Sequence, residues 1–221
     1  DPAHQVRLHV ARSPQHQPGR EEAGDDHAQL AGRGAFRGDL GGGEAIKLTS
    51  AEESVGGFGW SPDGRSIAFT SNEPRAEAIK EREKKYAEFD VIDQDHRLSH
   101  LFVVDVESKA IRRLTSGAFT VGRFEWSPDS RQIAFDHRIN GDPANGGSAD
   151  ISVVTVADGA VRKLVTQEGP DVNPQWSPDG SRIAFESSMA SPKFFFSNRR
   201  IAVMPAAGGA IANLSAEFDE D

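Results

Sequence analysis

The sequence predicts an all-β chain: β-propeller blades of four antiparallel strands, about three of them forming an incomplete propeller, with a short helical insertion. Three observations predict this fold. A Trp-Ser-Pro-Asp motif occurs three times, Ile-Ala-Phe follows each copy at the same offset, and a second strand-like segment follows each Phe. Tandem units of four strands in about 50 residues are typical of propeller blades.

The turn motif contains all three Trp residues of the chain. Ser-Pro-Asp-Gly suits a tight turn, because Pro presets φ, Asp bonds nearby amides and Gly accepts a positive φ. The second copy has Ser130 in place of this Gly. Because the Asp residues recur with the repeat, we expect them to be turn residues. The residues predicted to form the structural repeat are Trp60, Pro62, Asp63, Trp126, Pro128, Asp129, Trp176, Pro178 and Asp179.

Each turn joins a strand that ends at Trp to a strand that carries Ile-Ala-Phe. Alternation places the Ile and the Phe on one face of that strand. A third strand begins at Leu101, Ile151 or Ile201, and a fourth ends at a Leu twelve residues before the next Trp, as at Leu114 and Leu164. The apolar anchors should pack between neighbouring blades, because one blade cannot bury its own two faces.

One blade is longer than the next. Trp60 and Trp126 are 66 residues apart, Trp126 and Trp176 are 50 apart, and the additional 16 residues lie between Phe69 and Leu101. This stretch contains AEAIKEREKKYAEF, which is rich in helix formers and lacks Gly and Pro. We expect a short helix or arm that projects from an otherwise regular repeat.

The repeat covers residues 43–221 and predicts a partial β-propeller. Three blades do not close a ring, and the next Trp, twelve residues after Leu214, would fall five residues beyond Asp221. We therefore expect a piece of a larger propeller, cut in mid-repeat. The expected parts are a blade tail at 43–49 and blades at about 50–115, 116–165 and 166–215.

Residues 1–42 do not fit the repeat. They contain no Ile, Lys, Asn, Thr, Trp, Tyr or Met, yet hold four of the seven His residues. Where the repeat predicts an apolar strand, near 35–42, the sequence is AFRGDLGG. This composition suggests GC-rich DNA read out of frame, so one hypothesis is a frameshift that ends near Gly42. The alternative is a disordered, low-complexity leader.

Composition excludes several classes of function. A formal net charge of −9 argues against a nucleic-acid partner, because binding to phosphates needs clustered Lys and Arg. No apolar run approaches the roughly 18–20 residues that span a bilayer, so no membrane contact is expected. The absence of Cys excludes disulfides and thiolate metal sites but leaves the compartment open. A cytoplasmic location is slightly favoured over a periplasmic one.

Other candidate residues have structural explanations. His96 and His100 stand four apart, as metal-binding pairs on a helix do, but DHRLSH lacks the Glu of H-E-x-x-H, and we expect a solvated insertion. Segment 140–150 lacks the spacing of a calcium loop and should be a hairpin turn. Run 80–85 alternates in sign, which favours a solvated helix face over a substrate-facing role. We expect Phe194–Phe196 to pack between blades rather than to bind a ligand.

The sequence assigns no catalytic, cofactor-binding or metal-binding residue. A serine nucleophile elbow requires G-x-S-x-G, and the nearest match, which begins at Gly64, has Ala68 in place of the second Gly. Its Ser66 is equivalent to Gln132 and Arg182 in the other repeats, so we expect an ordinary strand residue.

The repeat resembles two kinds of propeller. WSPDG followed by IAF, a VVDV strand and a closing RLT looks like the TolB-type or WD-like bacterial repeat. With the helical insertion and the run YAEFDVIDQDHRLSHLFVVDVES, it more closely resembles the propeller of prolyl-oligopeptidase-family serine peptidases, of the acylaminoacyl-peptidase and dipeptidyl-peptidase type. The resemblance covers residues 43–221 and fails in 1–42.

The peptidase resemblance implies a domain that restricts substrate entry and carries no catalytic residue. In that family the propeller precedes an α/β-hydrolase domain, which carries the catalytic Ser, Asp and His, and caps its active site so that only peptides and small substrates enter. The expected partners are therefore the α/β-hydrolase domain of the parent chain and the parent's peptide substrates, with no cofactor. The alternative is a TolB-like protein-binding scaffold that has no enzymatic domain.

Overall fold

The computed structural model describes fifteen β-strands and one α-helix within residues 26–31, 34–39, 46–47, 53, 55–87, 91 and 95–218, with the backbone alone for the first three segments. An N-terminal sheet contains β1 (Asp26–Ala31), β2 (Gly34–Asp39) and β3 (Ile46–Lys47). Three four-stranded antiparallel sheets follow, named blades 1, 2 and 3. In each blade, the order of the four strands along the chain is also their order across the sheet.

Blade 1 contains β4 (Val55–Trp60), β5 (Ser66–Asn72), β6 (Ser99–Asp105) and β7 (Ile111–Arg113). Blade 2 contains β8 (Thr120–Trp126), β9 (Gln132–Arg138), β10 (Asp150–Thr155) and β11 (Val161–Val165). Blade 3 contains β12 (Asp171–Trp176), β13 (Arg182–Ser187), β14 (Arg200–Pro205) and β15 (Ala212–Asn213). The predicted fold class is confirmed. The predicted domain boundaries remain predictions.

The helical insertion lies between β5 and β6. Helix α1 (Glu77–Tyr86) has Lys84 and Lys85 in its last turn, where they complement the helix dipole, and it has no buried residue. It falls within the stretch that the spacing identifies as additional. No helix in the described part of the chain is long and apolar enough to span a membrane.

The N-terminal sheet has the strand order of an incomplete blade. β2 pairs antiparallel with both β1 and β3. Relative to Leu48, β2 and β3 occupy nearly the same sequence positions as β6 and β7 relative to Leu114. The strand Gly34–Asp39 therefore lies at the position where the repeat predicts a strand, although its sequence there, AFRGDLGG, lacks the apolar pattern of the repeat. Because backbone pairing does not require particular side chains, the frameshift hypothesis remains a prediction.

The hydrophobic core lies between the blades, as the anchors predict. One cluster joins blades 1 and 2, and it includes Leu101, Leu114, Trp126, Ile133 and Phe135. The equivalent cluster of blades 2 and 3 includes buried Ile151, Val165, Ile183 and Phe185. Burial of one such large side chain contributes about 1.5–3 kcal/mol. Each blade therefore stabilises the next.

The first strand of each blade contains a β-bulge. The register shifts between Val55 and Phe58, between Val121 and Phe124, and between Val172 and Gln175. In blade 2, Asp136 packs against Gly122 so closely that a Cβ there would collide with its carboxylate. Glycine at this position lets a polar side chain of the second strand reach the bulge.

Candidate functional site

The blades have two chemically different ends. At the turn end lie the Ser-Pro-Asp turns and the turns between third and fourth strands. At the opposite end, named the insertion end, lie the connections between second and third strands and the connections from blade to blade. All candidate residues belong to one of these two ends.

The Ser-Pro-Asp turn has the same hydrogen bonds in all three blades. In blade 2, Ser127 Oγ donates to Asp129 Oδ1 at 2.6 Å and accepts from the Gln132 amide at 2.9 Å. The Arg131 amide donates to the same carboxylate at 3.0 Å. Blades 1 and 3 repeat the set around Asp63 and Asp179. Each predicted Asp is a turn residue in this geometry.

These hydrogen bonds stabilise the charged form of each turn carboxylate. The Ser177 hydroxyl and the Ser181 amide and hydroxyl lower the pKa of Asp179 to about 2. The Ser127 hydroxyl lowers the pKa of Asp129. Burial opposes the change at Asp63, but hydrogen bonds from Ser61 and from a backbone amide still lower its pKa. Each lowered pKa favours a charged carboxylate, which accepts hydrogen bonds from its own turn.

Ser130 links the turns of two blades. It occupies the left-handed position that Gly64 and Gly180 fill in the other copies, with φ of 61°. Its Oγ accepts a hydrogen bond of 3.1 Å from the Asp63 amide in blade 1. The hydroxyl thus adds an inter-blade contact that glycine could not make.

A groove of about 160 Å³ lies between the turns of blades 2 and 3, lined by residues such as Ser127, Asp129, Trp176 and Asp179. Ligand pockets for drug-sized molecules are about 300–1,000 Å³. The groove is smaller than these pockets, and its carboxylates are hydrogen-bonded to their own turns. We therefore interpret it as the boundary between two blades and not as a ligand pocket.

Polar contacts cross each blade boundary near the first strands. The Trp126 indole donates to the Gly59 carbonyl at 3.1 Å, and the Trp176 amide donates to Glu125 Oε2 at 2.8 Å. Asp136 Oδ2 accepts from the Asn173 amide at 2.9 Å. Burial raises the pKa of both Glu125 and Asp136. These contacts fix how one blade stacks on the next.

Two arginines also connect the fourth strand of one blade to the next blade. Arg112 of β7 donates to the Val156 and Ala157 carbonyls in the hairpin turn of blade 2. Arg162, at the same position of β11, donates to the Ala206 carbonyl of blade 3 at 2.7 Å. The equivalent residue of β15 is Ala212. We name these two contacts the arginine bridges.

The insertion end contains a buried histidine beside an ion pair. His100 is fully buried, with Nδ1 3.3 Å from Thr115 Oγ1 and Nε2 3.3 Å from Glu73 Oε1. Arg113 donates to the same Glu73 oxygen at 2.9 Å. Burial lowers the pKa of His100, and the Arg113 charge lowers it further, so the ring is neutral at pH 7. Glu73 and Arg113 are half-exposed.

A second histidine is joined to the first through Phe119. The Phe119 ring centroid lies 5.6 Å from that of His100 and 5.0 Å from that of His137. His137 Nε2 lies 2.8 Å from Ser152 Oγ, and burial lowers the pKa of this histidine. The two rings sit on either side of the boundary between blades 1 and 2.

Between blades 2 and 3 the insertion end buries a carboxylate. Asp171 is fully buried, and its Oδ1 accepts from Gln167 Nε2 at 2.8 Å. Its Oδ2 has no hydrogen-bond partner among the described residues. Burial raises the pKa of Asp171, and the nearby Asp150 charge acts in the same direction.

Ion pairs lie within the insertion and between the insertion and the residue Glu53, which precedes β4. Arg97 pairs with Glu53, Arg75 pairs with Glu83 of α1, and Arg82 pairs with Asp95. These pairs are partly buried, so they are less screened than fully exposed ones. Because the Arg75 amide also donates to Glu53 Oε1 at 3.4 Å, Glu53 contacts the insertion near both of its ends.

Two sequence expectations at this end are wrong. His100 is not solvated, because it lies in β6 with its side chain facing the core, and His96 precedes the strand, so the two share no helical face. Phe194 packs near Gly147 and Gly169 between blades 2 and 3, but Phe195 and Phe196 are 75% and 92% exposed. The short 3-10 helix Phe194–Phe196 turns these two rings outward.

The structure places the remaining candidate segments as follows. Segment 140–150 connects β9 to β10 through a short 3-10 helix that Asp142 caps. Run 80–85 lies on helix α1, which has no buried residue, although Arg82 and Glu83 of this run are partly buried in their ion pairs. Ser66 opens β5 after a turn, which is not the strand-to-helix turn of a nucleophile elbow. The described residues contain no group of three or more His, Asp or Glu placed to hold a metal ion.

Neither the arginine bridges nor the pair formed by His100 and His137 was predicted from the sequence. Alignment of the repeats could have found the first, since Arg112 and Arg162 are equivalent. The histidine pair could have been found from positions at which the residue type differs between repeats. The residue equivalent to His137 is Ser in blades 1 and 3, and the residues equivalent to His100 are Asp150 and Arg200.

No family model matches the chain, and no curated protein matches it. Solved structures do. A putative TolB from Agrobacterium tumefaciens matches 85% of this chain with 24% identity and a TM-score of 0.55. A puromycin-hydrolyzing peptidase from Mycobacterium tuberculosis matches 90% with 16% identity and a TM-score of 0.62. An acylaminoacyl peptidase from Pyrococcus horikoshii matches 87% with 17% identity and a TM-score of 0.60.

The matched regions are parts of longer chains. They cover 60% of the TolB protein, 30% of the puromycin-hydrolyzing peptidase and 31% of the acylaminoacyl peptidase. At these identities the likeness concerns the fold alone. The chain is thus a propeller-like array of blades, whose fold is shared with the TolB protein and with part of each of the two peptidases.

Proposed function

We propose that this chain is a non-catalytic propeller segment that gates substrate access in a prolyl-oligopeptidase-like serine peptidase. The observation that carries the proposal is the match to two peptidases over 87–90% of this chain but only 30–31% of theirs. A segment of that extent corresponds to one part of a larger enzyme. The remainder would hold the α/β-hydrolase domain, with its Ser, Asp and His.

The chemistry of the two ends supports this division of roles. The turn carboxylates are occupied by their own hydrogen bonds, and the sequence contains no G-x-S-x-G. The insertion end instead presents the half-exposed pair Glu73 and Arg113 beside the helical arm.

A TolB-like protein-binding scaffold is the second candidate. It is favoured by the match to the Agrobacterium TolB, which has higher identity, 24%, than the two peptidases. The helical arm favours the peptidase, because scaffold propellers tend to keep uniform blades. What else the gene encodes discriminates the two: a hydrolase domain with G-x-S-x-G, or further blades without it.

The gating role is tested in the whole gene product. The locus, with about a kilobase on each side, is translated in all frames, which also tests the frameshift hypothesis for residues 1–42. The product is then assayed on a dipeptide substrate and on a long peptide, with active sites counted by a fluorophosphonate. Removal of residues 43–221 should raise kcat/KM for the long peptide relative to the dipeptide.

A milder variant keeps the test decisive if the deletion prevents folding. Arg112→Ala combined with Arg162→Ala removes both arginine bridges and should change size selectivity in the same direction, by a smaller amount than the deletion does. An unchanged selectivity ratio in both variants contradicts gating. A product without a reactive serine contradicts the peptidase and leaves the scaffold.

A further inference from the structure

The connection between β9 and β10 contains both Asn-Gly pairs of the chain. They are Asn140 with Gly141 and Asn145 with Gly146. In such a pair the backbone nitrogen of the Gly can attack the side-chain carbonyl carbon of the Asn, because a following residue without Cβ lets the backbone rotate into position. Neither pair takes part in the contacts between blades described above.

The surroundings of Asn140 restrict both its side chain and the backbone that follows it. Asn140 Oδ1 accepts two hydrogen bonds, from the Asp142 amide at 3.1 Å and from Asn145 Nδ2 at 3.0 Å. The following Gly141 is closely packed, because a Cβ there would lie 3.0 Å from the Arg97 carbonyl oxygen. Attack on the side chain of Asn140 therefore requires several contacts to break together.

Asn145 has more conformational freedom. It lies at a kink of the 3-10 helix Pro143–Ser148, with φ of −91° and ψ of 19°. Outside the chain neighbours and the backbone of this helix, no described atom lies within 4 Å of the position that a Cβ on Gly146 would occupy. Rotation about ψ breaks a 2.7 Å hydrogen bond from Ser148 Oγ to the Asn145 carbonyl. Water can replace that bond, because Ser148 is only partly buried.

We propose that Asn145 is a site of spontaneous deamidation in the folded protein, and that its reaction releases Asn140 for a second one. The Gly146 nitrogen forms a bond to Asn145 Cγ, the bond from Cγ to Nδ2 breaks, and the amide proton passes through solvent to Nδ2, which leaves as ammonia. Water then opens the cyclic imide at either carbonyl carbon. The product is aspartate or isoaspartate at position 145, and no co-reactant other than water is needed.

One hydrogen bond couples the two reactions. Asn145 Nδ2 is a donor to Asn140 Oδ1, and the first reaction removes this nitrogen. The carboxylate that replaces the amide accepts hydrogen bonds and donates none, so Asn140 Oδ1 retains only the bond from the Asp142 amide. The first reaction should therefore accelerate the second. This proposal does not depend on the gating role.

Peptide mapping by mass spectrometry tests the order of the reactions. The full chain is incubated at neutral pH and digested at low pH, which avoids deamidation during digestion, and isoaspartate is identified by its enzymatic methylation. Position 145 should convert about fivefold or more faster than position 140, because Asn140 must first lose its additional contacts. In urea, where these contacts are absent, the two rates should approach each other.

Variants separate the two steps. Gly146→Ala is the matched control, because the added Cβ hinders attack on Asn145 without meeting another part of the fold. It should suppress conversion at position 145 and keep conversion at Asn140 slow. Asn145→Ala removes the donor to Asn140 without adding a charge, and it should raise the rate at Asn140 about threefold or more. Asn145→Asp, which imitates the first product, should raise that rate at least as much.

Three results would overturn the proposal. Equal rates at the two positions of the folded chain, or faster conversion at Asn140, would contradict the assignment to Asn145. An unchanged rate at Asn140 in Asn145→Ala would contradict the coupling. A folded chain in which neither position converts, while both convert in urea, would show that the fold protects this connection from deamidation.

Discussion

The two ends of the blades differ in how much they repeat. At the turn end, Ser127, Ser61 and Ser177 make the same hydrogen bonds to the same turn Asp in every blade. At the insertion end, one position holds His100 in blade 1 and Asp150 in blade 2. One backbone pattern therefore supports a constant end that builds the fold and a variable end that can acquire function.

The difference has a physical cause. A turn that reverses the chain over a few residues restricts φ and needs its buried amides paired, so few residue types suit it. The connections at the insertion end differ in length and are only partly buried. Their side chains can vary without loss of the inter-blade core, which lies between the sheets.

The largest expected effect separates the repeated core from the variable end. Phe135→Ala removes a fully buried ring between blades 1 and 2 and should reduce the free energy of unfolding by about 3–5 kcal/mol. Phe196→Ala, at a ring that is 92% exposed, should change it by less than about 0.5 kcal/mol. Urea denaturation measures both. Similar losses would mean that the exposed Phe run belongs to the core.

The loss of stability caused by replacing each turn serine with Ala should increase with the burial of that serine. Ser127→Ala leaves the Gln132 amide without its acceptor in a turn where Ser127 is 3% exposed, and should cost about 1–3 kcal/mol. Ser61→Ala should cost about the same, and Ser177→Ala less, because its turn is exposed. Chemical denaturation of the three single variants checks the order. Equal and negligible losses would contradict a structural role for the motif.

A pH experiment distinguishes the buried Asp171 from the turn carboxylates. Burial raises the pKa of Asp171 above its ordinary value of 3.8, so the folded state binds this proton more tightly than the unfolded chain. Its contribution to stability therefore falls as pH rises from 3.8 through the raised pKa. Asp171→Asn should stabilise the protein at pH 7, and the gain should shrink toward pH 3.8.

For the turn carboxylate of Asp179 the expected pH dependence of stability has the opposite sign. The pKa of Asp179 is lowered to about 2, so its contribution is present above pH 3.8 and is lost as pH falls toward 2. Asp179→Asn should destabilise the protein at pH 7, with the loss diminishing below pH 3.8. Denaturation curves between pH 3 and 7 compare the two variants. A pH-independent gain for Asp171→Asn would contradict the burial of an ionised carboxylate.

The smallest expected effect concerns the arginine bridges. Arg112→Ala should reduce the free energy of unfolding by less than about 1 kcal/mol, because the guanidinium is exposed to water. Arg112→Lys should recover only part of this, since Lys cannot contact the Val156 and Ala157 carbonyls with a fork of donors. Thermal unfolding of both variants measures the difference. A Lys variant weaker than the Ala variant would contradict the bridge.

The sequence predicted the repeated part of this structure better than the variable part. The blades, the turn at Trp126 and the helical insertion follow from spacing, alternation and turn chemistry, which are local. The exposure of Phe196 depends on which way the connection between β13 and β14 bends. The burial of His100, at the start of β6, depends on tertiary contacts such as the Phe119 ring that lies between the two histidines. Neither leaves a period in the sequence.

Fluorophosphonate labelling followed by mass spectrometry tests the proposal that this chain is the non-catalytic part of a serine peptidase. We expect the isolated chain to stay unlabelled and the whole gene product to be labelled at a serine outside residues 1–221. A label on a serine of this chain, such as Ser66, lost on Ser66→Ala together with any peptide hydrolysis, would contradict it.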